Sequence, residues 1–339
     1  MTLPPDRSSV AVVGGWTARE LDRVSTRISD LSVGGRWAVS VSFEGTVVLA
    51  KFRDWSKRPL EDHEVGGYIA PKGEWADSLP RTEYMGAVAR VREQIARGEV
   101  YQVNVCRILS NQIDSESDPA ALWRNIANVH PSPYGGILRL PGFSVVSASP
   151  ELFLRRRGDR IASGPIKGTA DRADGFTEKD QAENIMIVDL VRNDLGRICE
   201  TGSVTVPQLM VVEEHPGLFH LVSNIEGVLV GDASWENIFE ALFPAGSVTG
   251  APKLAALDSI ATLEPAARGP YCGAFGWIDA DSGTAELAVA IRTFWFEHDQ
   301  IRFGTGAGIT WGSDPAAEWR ETELKAQRLM ALAGQSYPT

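Results

Sequence analysis

The chain has 339 residues, with 33 Lys and Arg against 44 Asp and Glu and a formal net charge of −11. That balance argues against nucleic acid or an anionic membrane surface as the main partner, and an anionic ligand would need local cations to overcome the field. With 43% hydrophobic and 23% charged residues, it reads as one large globular domain or two intimately packed halves.

Residues 1–80 suggest strands at Val10–Val13, Trp37–Phe43 and Thr46–Phe52, a helical pattern over Ala18–Leu31, and a connecting region from Asp54 to Pro80 rich in glycine, proline and charge. Met85, Val88, Val91 and Ile95 fall at helical spacing over Glu83–Arg97, with Thr82 as cap and Gly98 as stop. Tyr101–Leu109 alternates as a strand with Gln102 and Asn104 on one face. Three runs, Gly136–Leu140, Phe143–Ser149 and Leu152–Arg156, form a β-meander with Glu151 at a corner.

After a short strand at Arg160–Ser163, Pro165-Ile166-Lys167-Gly168-Thr169 predicts a tight turn that carries Lys167 between strand and helix. Gly168 lets the backbone approach a ligand there, and a lysine stripped of water at such a turn can serve as a nucleophile. The helix from Thr177 to Arg197 opens on a capping-box variant, Thr177-x-x-Asp180, and carries Glu183 on an otherwise apolar stripe with Ile187 and Leu190. A carboxylate so placed is either wet at the helix end or buried with a partner such as a metal.

Strands follow at Ser203–Val212 and Leu218–Val230, the second containing His220, then a helix over Ser234–Phe243. Ser247-Val248-Thr249-Gly250-Ala251-Pro252-Lys253 opens another helix, whose free N–H groups and Lys253 make an anion site. The last third is a meander of Tyr271–Asp279, Ala285–Phe296 and Ile301–Thr310. Arg292 interrupts its middle strand, so it is expected to be buried and paired, while Gly304, Gly306 and Gly308 bare one face of the third. A final helix from Asp314 to Gly334 aligns Glu318, Glu321 and Lys325.

Cys106, Cys199 and Cys272 are far apart, odd in number and without metal-type spacing, which suits a reducing cytosol. Met1–Ser9 has no cationic segment followed by an apolar core, and no apolar run approaches the roughly 18 residues of a membrane helix. A cytoplasmic protein is expected.

Taken together, Pro165–Thr169, Ala182–Arg197, Gly202-Ser203-Val204, His220–Ser223, Thr249–Lys253, Gly306–Ile309 and Glu318–Thr322 resemble the chorismate-utilising enzymes, in the family's order across roughly Tyr84–Met330. The resemblance implies an α/β fold, a large two-sheet β-sandwich with helices outside, in which residues 1–80 are a short N-terminal part of the domain and residues 81–339 the chorismate-binding region. Within the family, Lys167 in Pro-Ile-Lys-Gly-Thr and Gln102 in Tyr-Gln-Val-Asn are similar to the members that add ammonia at C4, the aminodeoxychorismate synthases. Anthranilate synthases, which carry alanine at the lysine position, and a catalytically inactive chorismate-binding subunit are the alternatives.

The resemblance also implies roles. Glu183, Glu318 and Glu321 would hold Mg²⁺, whose preference is for hard oxygen ligands. Arg292, Tyr271, Gly306, Gly308 and Lys325 would meet the substrate carboxylates, with Gly168, Thr169, Thr249 and Gly250 also at the substrate. Glu151 would be the general acid, with a raised pKa, His220 would orient the departing hydroxyl or a carboxylate, and Lys167 would form a covalent adduct at C2. The chain has no Gly-x-Cys-x-Gly nucleophile elbow, so a separate glutaminase subunit is the expected ammonia source. One departure stands out: Ala170-Asp171 precede Arg172, where the family has an arginine directly after the threonine.

Overall fold

In the computed structural model, which describes residues 9–334 apart from 171, 216–217 and 232, the chain alternates strands and helices in one order. The first half runs β1 (Val10–Val13), β2 (Trp16–Ser25), β3 (Arg36–Val41), β4 (Val47–Ser56), β5 (Ala76–Asp77), α1 (Arg81–Ala96), β6 (Gln102–Gln112), α2 (Pro119–Val129), β7 (Gly136–Leu140), β8 (Phe143–Ser147), β9 (Leu152–Arg157), β10 (Arg160–Gly164), β11 (Ile166–Ala170) and α3 (Glu178–Gly196). The second runs β12 (Thr205–His215), β13 (Leu218–Val228), α4 (Trp235–Leu242), β14 (Gly250–Ala251), α5 (Lys253–Leu263), β15 (Ala274–Asp279), β16 (Thr284–Val289), β17 (Thr293–Glu297), β18 (Gln300–Ile309) and α6 (Pro315–Leu332).

All the pairings are antiparallel and trace one continuous ladder. It starts at β6 and runs through β18, β17, β8, β7, β1, β2, β4, β3, β15, β16, β9 and β10 to β13, which carries both β11 and β12. The ladder folds back on itself. Trp37, Phe275 and Leu287 from one limb meet Leu138, Val145 and Trp295 from the other in a single buried cluster, so the two layers of the sandwich are limbs of one sheet. A second cluster, containing Tyr84, Val88, Val103, Ala307, Ile260 and Trp319, fastens α1, α5 and α6 onto β6 and β18.

Local sequence explains several elements. Thr177 caps α3 reciprocally with Asp180, as the capping box requires. Ser234 and Asp314 cap α4 and α6 through their side chains. The expected helix over Ala18–Leu31 is instead β2 followed by a 3-10 turn at Ile28–Val33. The helical spacing there is overridden because β2 is zipped between β1 and β4. Thr82 is not the cap of α1; Pro80 occupies that position without a side-chain bond. The strand expected over Ala285–Phe296 is two, β16 and β17, broken where Arg292 takes φ 53°.

The N-terminal strands are part of the same sheet, since β3 pairs with β15 along its whole length. No helix among the described residues is long and apolar enough to cross a membrane.

Candidate active site

Lys167 does not sit on a turn. It lies in β11 opposite Leu221, and the register slips between Lys167 and Thr169 so that Thr169 faces His220. The irregularity centres on Gly168 at φ 81°, a conformation glycine adopts without penalty. What approaches Gly168 is the start of α3, because a Cβ there would stand 3.0 Å from Phe176 and 3.1 Å from Asp180. The bulge therefore seats α3 against β11. The Thr169 side chain and Asp171 lie outside the described residues. Arg172 is exposed and bonded to Asp174 at 3.1 Å.

Lys167 Nζ donates to the Ser247 carbonyl at 3.1 Å. A Cβ added to Gly308 would collide with Gln102 Nε2 and stand 3.8 Å from Lys167 Nζ. The amide of Gln102, from β6, and the amine of Lys167, from β11, thus converge over a bare point on β18. Gly308→Ala is expected to push the Gln102 amide aside, a flexible terminus that can move, so folding suffers little. Displacing a group by about 1 Å at a reacting centre costs roughly 10²-fold, and a loss of that order in kcat/KM with an unchanged melting temperature is the expected result. An equal fall in stability would make Gly308 a packing glycine.

Glu151 follows β8 at the corner leading into β9, 4% exposed. Its backbone N–H donates to Ser149 Oγ at 3.2 Å. Burial raises the pKa of its carboxyl, opposed by the Ser247 hydroxyl, the Lys167 charge, the Ile166 N–H and Lys325. His220 is 1% exposed, on β13 between Thr169 of β11 and Glu213 of β12.

Arg292, held at positive φ between β16 and β17, is half-buried. Its guanidinium reaches His130 Nε2 at 3.4 Å and makes no ion pair with any described residue. Burial presses its pKa down and the Glu151 charge pushes back. No acid among the described residues pairs with it, so its guanidinium keeps donors that could meet an anion.

The remaining expected residues acquire packing roles. The Tyr271 ring fills the face of Gly304, and the Cys106 side chain and Val105 carbonyl fill that of Gly306, so only at Gly308 does the bare face of β18 meet Lys167. Gly250 is required because a Cβ would strike the Gln102 carbonyl where β14 zips onto β6. Thr249 Oγ1 donates to the carbonyls of Ala245 at 3.1 Å and Gly246 at 3.3 Å. Lys253 is not a free anion site, since its Nζ is 2.5 Å from Asp194 and 3.2 Å from the Leu242 carbonyl.

Glu318 accepts from Ser313 Oγ at 2.6 Å, and Glu321 pairs with Lys325 at 2.6 Å. Glu183 stands on α3, which packs against β11 and β13. Among the described residues no three His, Cys, Asp or Glu side chains are close enough to hold a metal ion. Lys325 also donates to the Gly306 carbonyl at 3.2 Å, which ties α6 to β18.

Two groups at this centre escaped the sequence reading. Ser247, read there as a helix cap, contacts Lys167 through its carbonyl and Glu151 through its hydroxyl. Arg268 is fully buried and grips Glu264 at 2.8 and 2.6 Å, the Val248 carbonyl at 2.8 Å and the Asn104 carbonyl at 2.8 Å. It thereby braces the Ser247 loop against β6. The i, i+4 spacing of Glu264 and Arg268 was the available signal, masked by Pro265 between them.

The sequence profile of chorismate binding enzymes matches residues 69–331. The chain belongs to the chorismate-binding enzyme family. The family member called aminodeoxychorismate synthase in Streptomyces pristinaespiralis is 42% identical over 273 residues, 77% of this chain and 37% of that protein. Anthranilate synthase component 1 of Saccharolobus solfataricus is 39% identical over 270 residues, 76% and 63% respectively. Aminodeoxychorismate synthase component 1 of Bacillus subtilis is 33% identical over 293 residues, 82% and 60%. The matches thus span between about a third and two thirds of these relatives' lengths. Among solved structures, anthranilate synthase component I from Streptococcus pneumoniae superposes with a TM-score of 0.79 at 23% identity, covering 97% of this chain and 91% of that one. The menaquinone-specific isochorismate synthase of Escherichia coli gives 0.81 at 19%, covering 98% and 89%. The fold of the chorismate-binding family is therefore the fold of this chain.

Proposed function

We propose that the chain converts chorismate and ammonia to 4-amino-4-deoxychorismate. The observation that carries this reading is the convergence of Lys167 Nζ and the Gln102 amide over Gly308, with Glu151 nearby, its carboxyl pushed by burial toward the protonated form. Two family names occur at similar identity, 42% and 39%, so the residues at this point bear the choice between them.

Hydroxide is a poor leaving group, and Glu151 protonates the C4 hydroxyl so that it departs as water. Lys167, in the reading taken from the resemblance, attacks C2 as the hydroxyl leaves, and ammonia then attacks C4 as Lys167 departs. Two allylic shifts return the ring double bonds to their places. Arg292, half-buried, receives a substrate carboxylate. The ammonia comes from a glutaminase partner. Its thiol chemistry is foreign to these cysteines, which are all buried, with Cys199 pushed up to about 11 by burial.

The deciding test is a product assay with chorismate, Mg²⁺ and ammonium at mildly alkaline pH, resolved by chromatography and mass. Aminodeoxychorismate supports the reading; anthranilate or isochorismate overturns it. Because the folded pKa of Glu151 lies above its ordinary value, the acid form persists into higher pH and kcat falls as pH rises through that pKa. In Glu151→Gln this alkaline limb is expected to vanish along with about 10²–10⁴-fold of the rate; an unchanged pH–rate profile removes Glu151 from the acid role.

Magnesium enters this proposal as an ion that Glu183, Glu318 and Glu321 would hold, since the contacts to Ser313 and Lys325 each engage one oxygen of a carboxylate that has two. Calorimetric titration of the protein with Mg²⁺ in the presence of chorismate is expected to show affinity reduced about 10-fold or more in Glu183→Gln and Glu318→Gln. Heats unaffected by either substitution would place the ion elsewhere.

A further inference from the structure

Behind Glu151, on the side of α3 and the Ser247 loop, lies a small cavity of about 20 Å³. Its polar lining is Glu151, Ser163, Asp194 and Ser247, each less than 9% exposed. The rest of the wall includes Phe153, Val191 and Leu242. That volume admits one water, and four polar groups are enough to hold it. Asp194 continues the line outward. It is bonded to Lys253 at 2.5 Å, and their side chains are 10% and 17% exposed. The Arg197 charge also acts on Asp194, and the charges of Lys167 and Lys325 act on Glu151.

The chemistry proposed above creates a need for such a line. In each turnover the Glu151 carboxyl gives its proton to the C4 hydroxyl, which leaves as water. Ammonia supplies the electron pair of the new C4–N bond, and its three protons stay on the product as an ammonium. Glu151 is left as a carboxylate, so one proton per turnover has to reach a side chain closed off from bulk water. We propose that it arrives from solvent through Asp194, the carboxylate paired with Lys253, and one water held in this cavity by Ser163 and Ser247. Asp194 is then a relay and positioning residue that touches no substrate. The inference rests on the general-acid reading of Glu151.

The test is rapid-quench kinetics on the full chain with chorismate, Mg²⁺ and ammonium. In Asp194→Asn the first turnover is expected at the wild-type rate, because Glu151 has time to take up its proton before the reactants are mixed. Later turnovers slow about 10-fold or more, so product forms in a burst that the wild type lacks. Ser163→Val fills the cavity without touching the Asp194–Lys253 pair and is expected to give the same burst, which keeps the test informative should Asp194→Asn fold poorly. First and later turnovers slowed equally in Ser163→Val, or no slowing in either variant, overturns the relay. Glu151→Gln separates the two ideas. If it loses the first turnover while neither variant shows a burst, the relay alone fails; if it turns over normally, the acid reading fails and the relay with it.

Discussion

Lys167→Ala abolishes aminodeoxychorismate formation, with kcat falling at least about 10³-fold, the scale seen when a nucleophile that acts in concert with its neighbours is removed. The fold survives. Lys167 is only half-buried and gives up a single hydrogen bond to the Ser247 carbonyl, a loss of about 0.5–1.5 kcal/mol. Chorismate binding persists because Arg292 is untouched. Two readouts check this together: product analysis by chromatography and mass, and a thermal melt. Trapping of a protein adduct 167-dependent in mass spectrometry is the direct form of the same expectation. Full turnover in the alanine variant would remove Lys167 from the chemistry, and a switch to anthranilate would make it the residue that chooses the product.

The largest effect on stability is expected at Arg268→Met. The guanidinium is 1% exposed and satisfies both oxygens of Glu264, and its ring-facing side lies 4.2 Å over Phe43. Removing it leaves a buried carboxylate whose remaining bond is the Cys106 N–H at 2.8 Å. Breaking one partner of a buried ion pair costs about 3–5 kcal/mol, measurable as a lower midpoint in urea with an unchanged slope. Replacing both partners, Arg268→Met with Glu264→Leu, is expected to recover much of that loss, since no orphaned charge remains. A double variant no more stable than the single one would mean that the carbonyls of Val248 and Asn104, not Glu264, carry the energy. Either variant should also lower activity, because Val248 adjoins the serine that holds Lys167.

Much of the fold was legible because its signals are local. The Thr177–Asp180 capping box, the β7–β8 hairpin and the Glu321–Lys325 pair depend on residues a few positions apart and appear as read, whereas β9, expected to continue the meander from β8, pairs instead with β10 and β16. What misled was nonlocal. Thr17 and Ala18 belong to a strand only because β1 and β4 are available to flank it. Lys167 looked like a turn residue because Pro165 and Gly168 bracket it, yet β13 lies alongside and draws the segment into the sheet. Lys253 read as an anion site until Asp194, a residue on another helix, was found against it. Within the site, the sequence pointed to Gln102, Glu151, Lys167 and Gly308 by resemblance, and they are near one another. It did not show that Ser313 bonds Glu318, a contact set by how the chain turns into α6.

The ladder also dictates when the protein can first work. β6 finds its longest partner in β18, with Val103 opposite Ile309, and one edge of β3 waits for β15, with Ala38 opposite Trp277. Contacts so distant in sequence close late and slowly. A chain emerging from the ribosome therefore carries β6 with an unsatisfied edge until β18 has been made, and the pocket around Lys167 comes into being only after that. Nascent chains stalled before β18 should be inert and prone to pair edge to edge with one another.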